Sequence, residues 1–202
     1  MIFGNPSYEQ ILLIKNSIHL PQWKPHLQPL LAVPYPSNDL TRAELFTLAI
    51  TNKLLDSRRL EVVKQMDAHL FNVWAEFLST LGINTTEDEL KQITAPYDPI
   101  IDYLKLYYNR PRPHQMAGIL GVPLFPRLDH VPLNSSYPSG HTLLSLYIYD
   151  YYTERHPELR TQLMGKVLDI KLSREEGGVH YPSDGLFSFK VYKHIKPLLW
   201  TV

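Results

Sequence analysis

A chain of 202 residues, 44% of them hydrophobic, carries enough apolar material for one sizeable core and reads as a single domain over residues 1–202. Twenty basic and twenty acidic side chains cancel, and the pI is about 7.1, so there is no global field to draw in nucleic acid or an acidic membrane surface. The lack of cysteine excludes disulfides, thiolate metal sites and a thiol nucleophile. No run of about 18 apolar residues is present. No basic leader followed by an apolar stretch precedes the first lysine, Lys15. The expectation is a soluble, cytoplasmic protein with no membrane or nucleic-acid partner.

Residues 1 to 37 hold a short helical pattern around Tyr8 to Ile14. A stretch through Pro21, Pro25, Pro29, Pro34 and Pro36 follows, for which the prolines predict an extended path. Thr41 and Glu44 have capping-box spacing, and Leu45, Leu48, Ala49, Asn52 and Leu55 continue at helical intervals. From Arg58 to Leu81, the positions Leu60, Val63, Met66, Leu70, Val73, Trp74 and Phe77 make one apolar stripe closed by Gly82, read as a core helix. Thr86 to Glu89 starts a short helix that Pro96 ends, and Asp98-Pro99 reads as an N-cap and first turn for a helix over Ile100 to Tyr108. A long proline-punctuated segment, Asn109 to Tyr137, separates this from helices expected at Ser139 to Glu154, Pro157 to Leu172 or slightly beyond, and Pro182 to Lys196. No alternating strand pattern of useful length and no internal repeat appears, so the class is all-α.

Three stretches carry chemistry. Tyr137-Pro138-Ser139-Gly140-His141-Thr142 places a tight turn at the start of a helix, where unpaired backbone N–H groups and the helix dipole favour an anion, with a hydroxyl and an imidazole alongside. Taken alone, Ser-Gly here is equally a helix cap. Lys105 to Pro113 supplies Lys105, Arg110 and Arg112 between prolines; a forked guanidinium suits a phosphate-like anion, although a basic helix end facing its own dipole has the same composition. Ser173 to Asp184 supplies Arg174, two glycines that free the backbone before His180, and Asp184 one helical turn beyond it. A carboxylate-held histidine suits a base, a metal ligand or a nucleophile.

Lys105 with six residues before Arg112-Pro113, then Pro138-Ser139-Gly140-His141, then Ser173-Arg174 with five residues before His180 and three more before Asp184, resembles the signature of the type 2 phosphatidic acid phosphatase superfamily. Soluble bacterial non-specific acid phosphatases and vanadium haloperoxidases belong to that superfamily. Tyr108, Arg110, Tyr137 and Thr142 lean toward the acid phosphatases. The likeness covers the chain from about Asp98 onward. It implies a compact helical bundle and a metal-independent phosphomonoesterase, with pyrophosphate-type substrates also within its range. Lys105, Arg112, Arg174, Ser139 and Gly140 would bind phosphate, His180 would be the nucleophile held by Asp184, and His141 the general acid and base. The resemblance implies no metal and no cofactor, vanadate acting as a phosphate mimic. The partner expected is a phosphorylated small molecule, and a homo-oligomer is allowed because soluble relatives often associate. A vanadium-dependent haloperoxidase shares the same cradle, though such chains are generally much larger; a non-catalytic anion-binding protein would need only the cations and the helix terminus.

Some positions depart from the pattern. Glu175 and Glu176 directly follow Arg174, and a solvated position is expected for both. His114 stands where the soluble enzymes tend to have an aromatic residue, and spacing favours Arg112 over Arg110 as the phosphate ligand. His19, His26, His69, His130, His156 and His194 show no partner pattern; Asp129-His130, in the long segment, is the one pair set apart. The leaving-group side is expected to be read by residues between His114 and Tyr137.

Overall fold

The computed structural model describes residues 24–198; the helical pattern around Tyr8 to Ile14 lies outside them. Residues Lys24–Leu31, within the stretch for which an extended path is expected, form helix α1 with Pro29 inside it. The lost backbone hydrogen bond costs about 3 kcal/mol. Leu27 and Leu30 are both buried, α1 packing against the last long helix, and each such burial returns about 2 kcal/mol.

Side-chain caps set the next starts. Ser37 Oγ accepts from Leu40 N at 3.4 Å and opens α2, Asn38–Leu54, so the helix begins before the capping box read at Thr41 and Glu44. Those two side chains are used elsewhere, as described below. Asp56 accepts from Arg59 N at 2.7 Å and opens α3, Ser57–Ala68. The single helix expected from Arg58 to Leu81 is broken at His69, whose φ of −133° and ψ of 45° separate α3 from α4, Leu70–Thr80. Thr86 and Glu89 form the expected capping box of α5, Glu87–Thr94. A 3-10 turn, Ala95–Tyr97, leads into α6, Asp98–Tyr108, in which Asp98 is the first helical residue rather than the cap. Asn109, at φ 44°, closes α6 in the left-handed conformation that asparagine tolerates.

The segment after Asn109 carries a short helix, α7, Pro113–Ala117, and is tied down by buried Val122, Leu124 and Leu128. Then follow α8, Gly140–Arg155; a 3-10 turn, Pro157–Leu159; α9, Arg160–Glu176; α10, Pro182–Ile195; and a final 3-10 turn, Lys196–Leu198. Among the described residues there is no strand, so the chain is all-α. No described helix is long and apolar enough to cross a membrane.

Helix α8 is the axis of the bundle, packed by α5, α9 and α10. Leu143, Leu146, Tyr147, Ile148 and Tyr152 are all buried, so its tyrosines face the core. Tyr147 stacks on Tyr97 with centroids 3.7 Å apart, and Trp74 Nε1 donates to Ser145 Oγ at 3.0 Å. Asp150, also buried, accepts from Tyr192 and Lys196, each at 2.5 Å. This axis fixes where the N-terminus of α8 emerges, and the candidate site is built around that end.

Candidate active site

A cavity of about 460 Å³ opens at the N-terminus of α8. Gly140, His141, Lys105, Arg112, Arg174 and His180 all line it, arriving from three separate stretches of sequence. Gly140 and His141 hold the first positions of α8, where no helical carbonyl lies behind their N–H groups. Ser139 differs from the expectation. Its Oγ accepts from Thr142 N at 3.5 Å and from Thr142 Oγ1 at 3.0 Å, so the hydroxyl caps the helix and does not line the cavity. The Tyr137–Pro138 peptide that leads into the turn is cis.

Lys105 sits in the last turn of α6 and is buried, its Nζ donating to Ser135 O at 2.6 Å. Arg112 is held as a fork: Nε donates to Asn134 O at 2.8 Å, Nη2 to Asn134 Oδ1 at 2.5 Å, and Nη1 to Val179 O at 2.8 Å. Arg174, in the last turn of α9, pairs with Asp67, while its buried Nε has no partner among the described residues. Three cations in one buried site disfavour one another. Burial, then Arg112, holds the Lys105 ammonium well below its ordinary range; burial, then Arg174, brings Arg112 down to about 9. Burial also lowers Arg174, against the pull of Asp67. An anion seated here would relieve all three.

The two histidines are oriented differently. Gly178, at φ 72°, supplies the left-handed turn that carries the chain from α9 into His180, and Gly177 lies where a Cβ would come within 3.0 Å of Leu128. His180 Nδ1 donates to Asp184 Oδ2 at 3.0 Å, which leaves the Nε2 lone pair toward the cavity, where Arg112 Nη1 donates to it at 3.0 Å. His141 Nε2 donates to Asp67 O at 3.1 Å, leaving Nδ1 as the nitrogen with no partner among the described residues. That carbonyl is available because α3 ends there. Burial first, then the surrounding cations, hold both imidazoles well below their ordinary range, Arg174 acting most strongly among the charges on His141 and Arg112 on His180. Without an anion, both rings are neutral at pH 7.

Behind His180, Asp184 is fully buried. Its Oδ2 also accepts from Tyr181 N at 2.9 Å, and its Oδ1 accepts from Arg110 Nη1 at 2.6 Å. Burial pushes the carboxyl up to about 6, opposed by Arg110, so it is ionised at neutral pH. Arg110 is therefore not a phosphate ligand. It spans from Asp184 to Glu44 Oε2 at 3.0 Å and Thr41 Oγ1 at 3.3 Å, and lies 3.8 Å over the Tyr181 ring. Glu44 in turn accepts from Ser183 N at 2.7 Å and Ser183 Oγ at 2.8 Å. Here the hydroxyl and carboxylate read as a cap become the far end of the histidine's support.

Glu175 and Glu176 are not solvated. Glu176 is buried and pairs with Arg59 at 2.8 Å, and Glu175 pairs with Lys171, so neither competes for Arg174. Asp67 fills that place. Glu44 and Asp98 carry only capping patterns in the sequence, and no pattern marks Asp67, Asp102 or Asn134; all but Glu44 line the cavity. His130 lines it too, the only one of the six histidines without a partner pattern in the sequence to do so among those described. His114 does not line the cavity; its Nδ1 is buried without a partner among the described residues. The described residues contain no group of three or more acidic or histidine side chains placed to hold a metal ion. The arrangement can bind a tetrahedral oxyanion between three cations and two backbone N–H groups, with one imidazole lone pair facing it and a second imidazole at its edge. In comparisons with protein-family models and with curated proteins, the chain matches none at a significant level.

Proposed function

We propose that the protein is a metal-independent phosphomonoesterase working through a phosphohistidine, the activity implied by the likeness to the type 2 phosphatidic acid phosphatase superfamily. The observation that carries this reading is the orientation of His180. Its Nδ1 proton is committed to Asp184 at 3.0 Å, so the free lone pair is on Nε2, at the edge of a cavity lined by Lys105, Arg112 and Arg174.

Phosphoryl transfer needs in-line placement and fixed positive charge on three oxygens. In this reading the phosphate draws the Arg112 Nη1 hydrogen from His180 onto its own oxygen, and so unmasks the nucleophile. The Nε2 lone pair forms the P–N bond as the ester P–O bond breaks on the opposite side. His141 donates its proton to the departing alkoxide, then takes a proton from water, whose oxygen attacks phosphorus and releases inorganic phosphate from His180. Asp184 stabilises the positive charge that builds on the His180 ring. Because both imidazoles are neutral in the empty site, His141 gains its proton when the dianionic ester enters and reverses the local field.

The test is hydrolysis of p-nitrophenyl phosphate in EDTA by wild type and His180→Ala. Turnover insensitive to EDTA, inhibited by vanadate, and reduced by about 10³-fold or more in the variant is the expected result. Loss of activity on chelation, or an active alanine variant, contradicts it.

A further inference from the structure

The cavity has a second chemical character that phosphate binding does not use. Helix α6 lays Asp98, Ile101, Asp102 and Lys105 along the cavity wall, one residue each turn or less, from an exposed end at Asp98 to buried Lys105. At about 1.5 Å rise per residue, Asp102 stands about 4.5 Å from Lys105 along the axis and Asp98 about 10 Å. Neither carboxylate caps the helix or makes an ion pair among the described residues. Burial raises the pKa of both, Asp102 adding to the effect on Asp98 and Lys105 opposing it at Asp102; Asp102 is half-buried, so its charge is only partly solvated, while Asp98 stands at the exposed mouth. At the other end, Arg174 is 1% exposed and its Nε has no partner among the described residues. One end of the cavity keeps a buried donor without an acceptor among the described residues, and the other holds two carboxylates without an ion pair.

We infer that the leaving group carries a positive charge: the substrate is an aminoalkyl phosphomonoester whose ammonium lies against Asp102 and Asp98 while its phosphate fills the cradle at Lys105, Arg112 and Arg174. This rests on the phosphomonoesterase reading and names its substrate class. The spacing supports it. Two or three carbons between oxygen and nitrogen span about one helical turn, the separation of Asp102 from Lys105. Asp67, the third carboxylate at the cavity, is already taken by Arg174, which leaves two carboxylates on one helix, enough for an ammonium. Phosphate alone would gain nothing from two carboxylates on its approach; an ammonium converts that repulsion into attraction. Ile101 and Leu144 supply an apolar wall for the carbon chain between the two charges.

The experiment compares kcat/KM for O-phosphoethanolamine and for ethyl phosphate, a pair of nearly equal size that differs in the ammonium, with EDTA present throughout to remove bridging metal. Wild type is expected to prefer the ammonium ester by about tenfold or more. In Asp98→Asn/Asp102→Asn the ratio falls to about one. Equal rates in wild type, or a preference that survives the double substitution, overturns the inference, and so does a double variant that loses both substrates in equal proportion, since the carboxylates then only support Lys105. The failures are separable. If neither ester nor p-nitrophenyl phosphate is hydrolysed, the phosphatase reading fails, and competition of the two esters against bound vanadate still measures the preference for the ammonium.

Discussion

Arg110 and Arg112 are two residues apart in one motif and do opposite work. Arg112 faces the cavity and contacts Nε2 of His180, whereas Arg110 lies behind, clamped between Asp184 and Glu44. Spacing favours Arg112, the one that lines the cavity, but the partner that explains Arg110, Glu44, is 66 residues distant. The same holds for Asp67, which meets Arg174 across 107 residues. Motif residues are legible because their geometry is local: a histidine with an aspartate one turn later, a turn opening a helix. Their counter-charges arrive by tertiary packing and are not. The role of Arg110 is testable through pH. Removing its charge leaves Asp184 more costly to ionise, so in Arg110→Gln the acid limb of the kcat/KM profile moves to higher pH by about one unit or more, the size of a close opposite-charge effect. An unmoved limb with a uniformly lower rate would mean that Arg110 only maintains the fold.

At the scale of elements, the break between α3 and α4 matters most to the site. The apolar stripe from Leu60 to Phe77 predicts one continuous helix, and the periodicity does continue across His69, which is why the break cannot be read from it. The break ends α3 at Ala68, freeing the Asp67 carbonyl for His141 and setting its carboxylate against Arg174. The proline-rich stretch fails in the opposite sense: Pro29 argues against helix, and burial of Leu27 and Leu30 overrides it. Asp67→Asn removes one negative charge from a site with three cations. Breaking such a pair is expected to destabilise the unliganded protein by about 3 kcal/mol, while vanadate binds more tightly than to wild type because the cradle is more positive. Thermal melts and vanadate titration check the two effects separately. Weaker vanadate binding in the variant would show that Asp67 is needed to aim Arg174, outweighing its competition for it.

Over the whole molecule, the bundle places its most expensive charges at one end of α8 and supports them with the core aromatics on the other side: Tyr137 stacks on Phe187 at 4.1 Å, and Tyr108 packs edge-on against both. The all-α class and the last three long helices follow from periodicity and caps, whereas the course of the segment after Asn109 depends on Val122, Leu124 and Leu128 finding their pockets. The empty site keeps His141 and His180 neutral, and a dianion raises His141, so anion binding takes up a proton. Binding therefore strengthens as pH falls. Sulfate, a dianion throughout, should raise the melting temperature more at about pH 6 than at about pH 8, with a stabilisation that follows RT ln(1 + [L]/Kd). An equal or larger shift at the higher pH would contradict the protonation states assigned here.

The central claim is that His180 Nε2 bonds to phosphorus. It is tested most directly by mixing the protein with an aryl phosphate labelled in the phosphoryl group, quenching in base, where a phosphoramidate survives, and locating the label in the chain. The account predicts label on His180 within the first turnover, its absence in His180→Ala, and its accumulation in His141→Ala when the aryl leaving group is too good to need a proton. Turnover with no label on the chain, or label on another residue, would contradict it.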